Sequence, residues 1–167
     1  MTKEEIEEEE IKEVYARAGL ALAYSQTLEQ NVAMLVILHQ SISPKRRKMR
    51  LSYEQLLSST SKKTLGQLIR DLRQAVSLPS GAALKLQIAL DARNHLVHHF
   101  FWEKTALIGT SEGRQSLYRL LTATQEGFDS VSKMILRMRR RVLAILRLSE
   151  KQLRLKEART VRDVLVP

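Results

Sequence analysis

Residues 117–145 read LYRLLTATQEGFDSVSKMILRMRRRVLAI, and their spacing decides the fold class. Leu117, Leu121, Thr124, Phe128, Val131, Ile135, Met138, Val142 and Ile145 recur in strict steps of four and three. A helix brings such positions onto one seam, because about 3.6 residues complete a turn. At ~1.5 Å per residue the seam is about 40 Å long. Nearer the start, Ile11, Val14, Ala18, Ala21, Ser25, Leu28, Val32, Leu35 and His39 keep the same rhythm. That predicts a second long helix over 4–40. Two seams of equal length bury each other most simply side by side, and the expectation is an antiparallel pair.

The chain between them reads as shorter helices. Ser41, Ser43 and Pro44 end the first helix, and 41–52 is expected to be a basic loop. Ser52 and Thr64 are each followed three residues later by Gln, the pattern of a capping box. Short helices are therefore expected at 53–59 and 65–77. Leu78-Pro79-Ser80-Gly81 forms a turn, with Ser80 as N-cap of a helix over 82–107. Gly109, Thr110 and Ser111 precede the last long helix, expected over 111–155, and 156–167 follows as a tail. No repeat of solenoid length is visible. The expectation is one all-α domain over 1–167, a bundle of four to five helices with two long antiparallel members.

Composition agrees with this. Hydrophobic residues at 44% and charged residues at 28% suit a folded chain, and only six Gly and three Pro interrupt the helix-forming stretches. There is no cysteine, so no disulfide and no thiolate ligand or nucleophile is available. The longest purely apolar run, Val32 to Leu38, is far shorter than a membrane span. The opening MTKEEIEEEE is the reverse of a basic-then-apolar leader. A cytoplasmic protein without membrane association is expected.

Charge is the first pointer to function. The net value is +10, but residues 1–13 hold seven Glu against Lys3 and Lys12. The body of the chain is accordingly more basic than the total suggests. Two concentrations stand out, Lys45-Arg46-Arg47-Lys48-Met49-Arg50 and the segment 133–162. Such a field attracts polyanions through long-range attraction and counterion release. A solubilising surface would look the same.

The helix expected over 82–107 carries an anomaly. Leu86, Leu90, Val97, Phe100 and Phe101 share one face, and Arg93 falls in the middle of it. Arginine is rarely placed on a core stripe unless it is paired or lines a shared cavity. A neighbouring stripe holds Gln87, Asp91, Asn94 and His98, with Asn94 and His98 one turn apart. His95 and His99 point to the opposite side.

The string Arg93-Asn94-His95-Leu96-Val97-His98 resembles the R-x4-6-H signature of the HEPN superfamily. The longer stretch RNHLVHHF is closer still to the R-x4-H-x-Y motif of HEPN toxins that pair with nucleotidyltransferase antitoxins. The resemblance covers roughly residues 64–102 and elsewhere rests on helix order. It implies an α-helical homodimer in which two motif helices meet at a composite cleft, acting as a metal-independent endoribonuclease in a toxin, defence or RNA-processing role. No cofactor and no metal are implied. Carried over by position, His98 would be the general acid or base, since imidazole titrates near neutrality. Arg93 would hold the scissile phosphate in its planar fork. Asn94 would orient either partner. Phe100 stands where the paired toxins carry the tyrosine that their antitoxin modifies, which puts that kind of partner in doubt.

Other readings stay open beside this one. Arg93 paired with Glu29 or Asp91 would be structural, and the chain would then be a catalytically silent helical dimer binding RNA, nucleotide or a protein partner. His95, His99 and Glu103 lie four apart on one outer stripe, a possible metal face, though most such surface trios bind nothing. Lys45, Arg46, Arg47, Lys48 and Arg50 are candidate RNA contacts. Among Phe100-Phe101-Trp102, two are expected in the core, leaving Trp102 as the candidate for base stacking.

Overall fold

The computed structural model describes residues 2–42 and 52–145, and all regular structure among them is helical. Among the described residues six helices occur in order: α1 (Lys3–Ile42), α2 (Tyr53–Ser61), α3 (Leu65–Ala75), α4 (Ser80–His98), α5 (Phe100–Ile108) and α6 (Ser111–Ile145). This is an all-α bundle. No described helix is long and apolar enough to cross a membrane.

Local signals start most of these helices as the sequence predicts. Ser52 and Thr64 both complete capping boxes with Gln55 and Gln67, so two backbone donors at each helix start are satisfied. A third box was not read from the sequence: Thr2 Oγ1 accepts from the Glu5 backbone N–H, while Glu5 accepts from the Thr2 N–H. Ser80 is not an N-cap. Pro79 holds that position, with no side-chain cap, and its carbonyl accepts from the Ala82 and Ala83 N–H groups. The helix expected over 82–107 is also two helices. His99, at φ −126° and ψ −27°, leaves helical geometry between α4 and α5. No glycine or proline announces that break.

The chain divides into two compact units, one of residues 1–30 with 78–132 and one of 31–77 with 133–167. In the first, the order of contacts fixes the helix directions. Glu10 of α1 meets Ser111, Arg114 and Tyr118, whereas Arg17 meets Tyr118, Thr122 and Gln125. Both helices advance together, so α1 and α6 run parallel here and not antiparallel. The return pass is α4–α5: Arg93 lies beside Glu29, and Phe101 beside Tyr15. An intervening downward pass is what lets two upward helices be neighbours.

Parallel packing sets the acidic start of α1 against the start of α6. Arg114, with only 3% of its side chain exposed, gathers that charge. Its Nε donates to Glu10 at 2.7 Å, its Nη2 lies 3.5 Å from Glu7, and its Nη1 donates to the Ile108 carbonyl at 2.8 Å. Around this clasp the seam of α1 is buried as its spacing predicts, from Val14 through Ala18, Ala21 and Ser25 to Leu28. Leu117, Leu121, Phe128 and Val131 of α6 are buried likewise.

The second unit buries Val32 and Leu35–Leu38 of α1 with Leu56 of α2, Leu65, Leu68, Ile69 and Leu72 of α3, and Ile135, Val142 and Leu143 of α6. Lys63 Nζ and Asp71 Oδ2 close α3 against the end of α2 at 2.5 Å. His39 is half-buried, and desolvation pushes its imidazole below the ordinary 6.5. Among the described residues, Thr60 Oγ1 and Arg139 Nε are buried without a hydrogen-bond partner.

Candidate functional site

The buried positions of α4 and α5 are Leu86, Ala89, Leu96 and Phe100. Arg93 fits their register, four residues after Ala89 and three before Leu96, so it does occupy the seam. The face itself is rotated from the expected one. Val97 is 43% and Phe101 39% exposed, while Leu96 takes the core position. The rotation turns the stripe that begins at Arg93 toward α1.

There the Arg93 guanidinium has two partners. Nη1 donates to Asn94 Oδ1 at 3.3 Å, and Nη2 stands 3.9 Å from Glu29 Oε2. With side chains 27% and 31% exposed, the Arg93–Glu29 pair is partly solvated and long. Contacts of that kind are worth about 1 kcal/mol or less. Asp91, the other candidate counter-ion, instead accepts from Gln87 Nε2 at 3.0 Å. A guanidinium carries five donors, so this loose pairing leaves capacity for an anion that can meet its fork with two oxygens.

His98 is exposed and follows Asn94 by one turn. Among the described residues no hydrogen bond joins it to Arg93 or Asn94, and its ring lies edge-on to that of His99 with centroids 6.3 Å apart. The structure thus brings Arg93 and Asn94 together, and leaves His98 beside them without a group that fixes its ring.

His95 and His99 lie on the other side of α4, as the periodicity predicts. His95 Nε2 and Glu103 Oε2 are 3.0 Å apart across the break at His99, and the His95 and His99 rings stack at 6.2 Å. The hydrogen bond from His95 is the main reason the Glu103 carboxyl sits below its usual range. Among the described residues no three His, Cys, Asp or Glu side chains converge to hold a metal ion. On this side α4 and α6 border an open cavity of about 370 Å³ lined by Ile88, Ala92, Leu120 and Phe128 among others. Lys85 is the one charged residue in its lining, and none of Arg93, Asn94 or His98 belongs to it.

Aromatic residues complete the α1 side. Phe101 stacks on Tyr15 of α1, with ring centroids 5.1 Å apart and planes 24° from parallel. Tyr15 is 53% exposed, so both rings of the pair reach solvent. Trp102 is 90% exposed, while Phe100 is 2% exposed and belongs to the core. The expectation that both phenylalanines are core therefore fails for Phe101. It failed because the buried face is rotated: Phe101 follows Val97 by one turn on the same half-exposed stripe, while Phe100 follows Leu96 into the core.

Lys45, Arg46, Arg47, Lys48 and Arg50 lie outside the described residues, as does 146–162 of the second basic segment. Within the described part of that segment, Arg137, Arg140 and Arg141 are exposed. No family model, curated protein or solved structure matches this chain.

Proposed function

We propose that this chain is a HEPN-like helical protein that acts on RNA as a homodimer, cleaving it without a metal at a centre built on Arg93, Asn94 and His98. The observation that carries the reading is Arg93 itself, a cation on a buried seam, held at its tip by one long ion pair and one hydrogen bond. An arginine placed on the seam only to hold the bundle together would be expected to make shorter contacts than these.

The chemistry asks for three things. The RNA 2′-hydroxyl must lose a proton as it attacks the neighbouring phosphorus, the 5′-oxygen must gain one as it leaves, and charge on the phosphoryl oxygens must be stabilised. Arg93 supplies the last, with Asn94 steadying its guanidinium. One imidazole cannot start as both base and acid in the same step. His95 and His99 face away from Arg93, so the motif helix of each chain offers His98 alone, and a second copy would supply the other imidazole. The products are a 2′,3′-cyclic phosphate and a 5′-hydroxyl. DNA, lacking the internal nucleophile, is not a substrate. A cytoplasmic setting fits such a role.

A second reading is favoured by the Glu29 contact. If Glu29 keeps Arg93 neutralised, the chain is a silent dimer that binds RNA, nucleotide or a protein partner such as an antitoxin. One experiment separates the two. Labelled mixed-sequence RNA is incubated with the purified chain in EDTA, beside Arg93→Ala and His98→Ala. Cleavage by the parent alone, with cyclic phosphate ends and both variants folded, supports the enzyme. Intact RNA, with salt-sensitive binding, supports the silent dimer. Equal cleavage by all three would remove the motif from the chemistry.

A further inference from the structure

We infer that the exposed Tyr15–Phe101 pair is a base-stacking subsite for single-stranded RNA, adjoining the Arg93–Asn94–His98 centre; the inference deepens the RNA reading and rests on it. Two large aromatic side chains from different helices stack with centroids 5.1 Å apart, yet remain 53% and 39% exposed. A pair formed only to join α5 to α1 would be expected to bury its faces, because aromatic rings contribute mainly through the area they remove from water.

Position relates the pair to the motif. α1 and α4–α5 run past each other in opposite directions, with Glu29 beside Arg93 at one level and Tyr15 beside Phe101 at another. Seven residues separate Asn94 from Phe101, a rise of roughly 10 Å. That spans one to two nucleotides of an extended strand, whose phosphates lie about 6–7 Å apart at most. A phosphate held at Arg93 therefore leaves a neighbouring base within reach of the rings. Between the two levels Val97 is 43% exposed.

The chemistry of the pair selects the ligand. Stacking needs an unpaired base whose face is accessible, so a single strand or a loop fits and an intact duplex does not. Every base has such a face, and the subsite would add affinity with little preference among sequences. Trp102, 90% exposed and without a ring contact among the described residues, lacks the partner ring that holds Phe101 in place.

The test is binding, kept apart from cleavage. Fluorescence anisotropy in EDTA compares a labelled single-stranded oligoribonucleotide, the same strand with abasic positions, and a duplex of equal length. All are measured against the cleavage-deficient His98→Ala chain. The base-bearing strand should bind more tightly than the abasic strand and the duplex. Tyr15→Leu and Phe101→Leu, each added to that background, should lower its affinity by about 5- to 150-fold and erase the preference for bases. Tyr15→Phe, which keeps the ring, should retain it and shows that the fold tolerates change there. Equal affinity for base-bearing and abasic strands, or a preference that survives both leucine variants, overturns the subsite. Strand scission by the unmodified chain is scored separately. Scission with no base preference removes the subsite and leaves the nuclease; base preference without scission does the reverse.

Discussion

Arg114 and its two carboxylates offer a perturbation whose outcome is unequal by design of the site. The guanidinium is 3% exposed, whereas Glu10 is 23% and Glu7 45% exposed. Replacing both acids, Glu7→Ala with Glu10→Ala, leaves a full positive charge buried with the Ile108 carbonyl as its remaining partner. Stranding a buried charge costs about 3–5 kcal/mol. Arg114→Met removes the charge and keeps much of the apolar stem. The carboxylates it abandons already touch water and can rehydrate, so the cost should be only about 1–2 kcal/mol. Losing the two partly exposed acids should therefore hurt more than losing the buried arginine they serve. Urea unfolding followed by far-ultraviolet circular dichroism reads this directly. With a slope of about 2 kcal/mol per molar, the acid pair should lower the midpoint by roughly 1.5–2.5 M and Arg114→Met by less than about 1 M. A larger loss for Arg114→Met would show that the clasp holds by packing and hydrogen bonding, and would refute the argument from charge burial.

Further predictions concern single sites. Gly113→Ala should destabilise by about 1–3 kcal/mol, because its Cβ would meet the Leu107 carbonyl oxygen at 2.1 Å; Gly127→Ala, with nothing within 4 Å, should stabilise by roughly 0.5–1 kcal/mol, and thermal melts of the two should move in opposite directions. Ser52→Ala removes one side-chain acceptor of the α2 capping box and should cost about 0.5–2 kcal/mol in the same melts. His39 is held below its ordinary value, so the unfolded chain binds its proton more readily. Stability from this group is present above about 6.5 and falls as acidification proceeds below it; His39→Gln should flatten that part of a stability profile, and a profile that steepens would contradict the assignment. Arg93→Leu places an apolar side chain between Ala89 and Leu96 and gives up a pair worth little, so folding should change by less than about 1 kcal/mol while RNA cleavage is lost.

The parts of the fold that were legible are those written in spacing. The seams of α1 and α6 and the two Gln capping boxes depend on neighbours a turn apart, and a local pattern is enough to specify them. Helix direction is not local. Nothing in the residues of α1 and α6 says which way they face each other, and the antiparallel expectation overlooked the return pass that α4–α5 makes between them. The break at His99 was hidden for a similar reason. It has no breaker residue and follows no sequence rule. The rotation of the buried face, which puts Leu96 in the core and turns Val97 and Phe101 toward solvent, conceals the aromatic pair in the same way. The only available signal was weak: three aromatic residues in succession cannot all face one core.

Arg93 remains legible at both levels. Its placement on an apolar seam conflicts with the local pattern, and such conflicts concentrate where function overrides stability. The structure sharpens the conflict: Glu29 is close enough to compensate the charge in part but, at 3.9 Å and partly solvated, not to anchor it. A fold that needed this arginine would suffer from Arg93→Leu, whereas a site that needed it would lose only its chemistry. Stability and RNA cleavage thus report on different hypotheses at one residue. If the leucine variant unfolds, Arg93 belongs to the bundle and the resemblance at 93–98 is coincidental; if it folds and no longer cleaves, the seam tolerates the arginine for the sake of the phosphate.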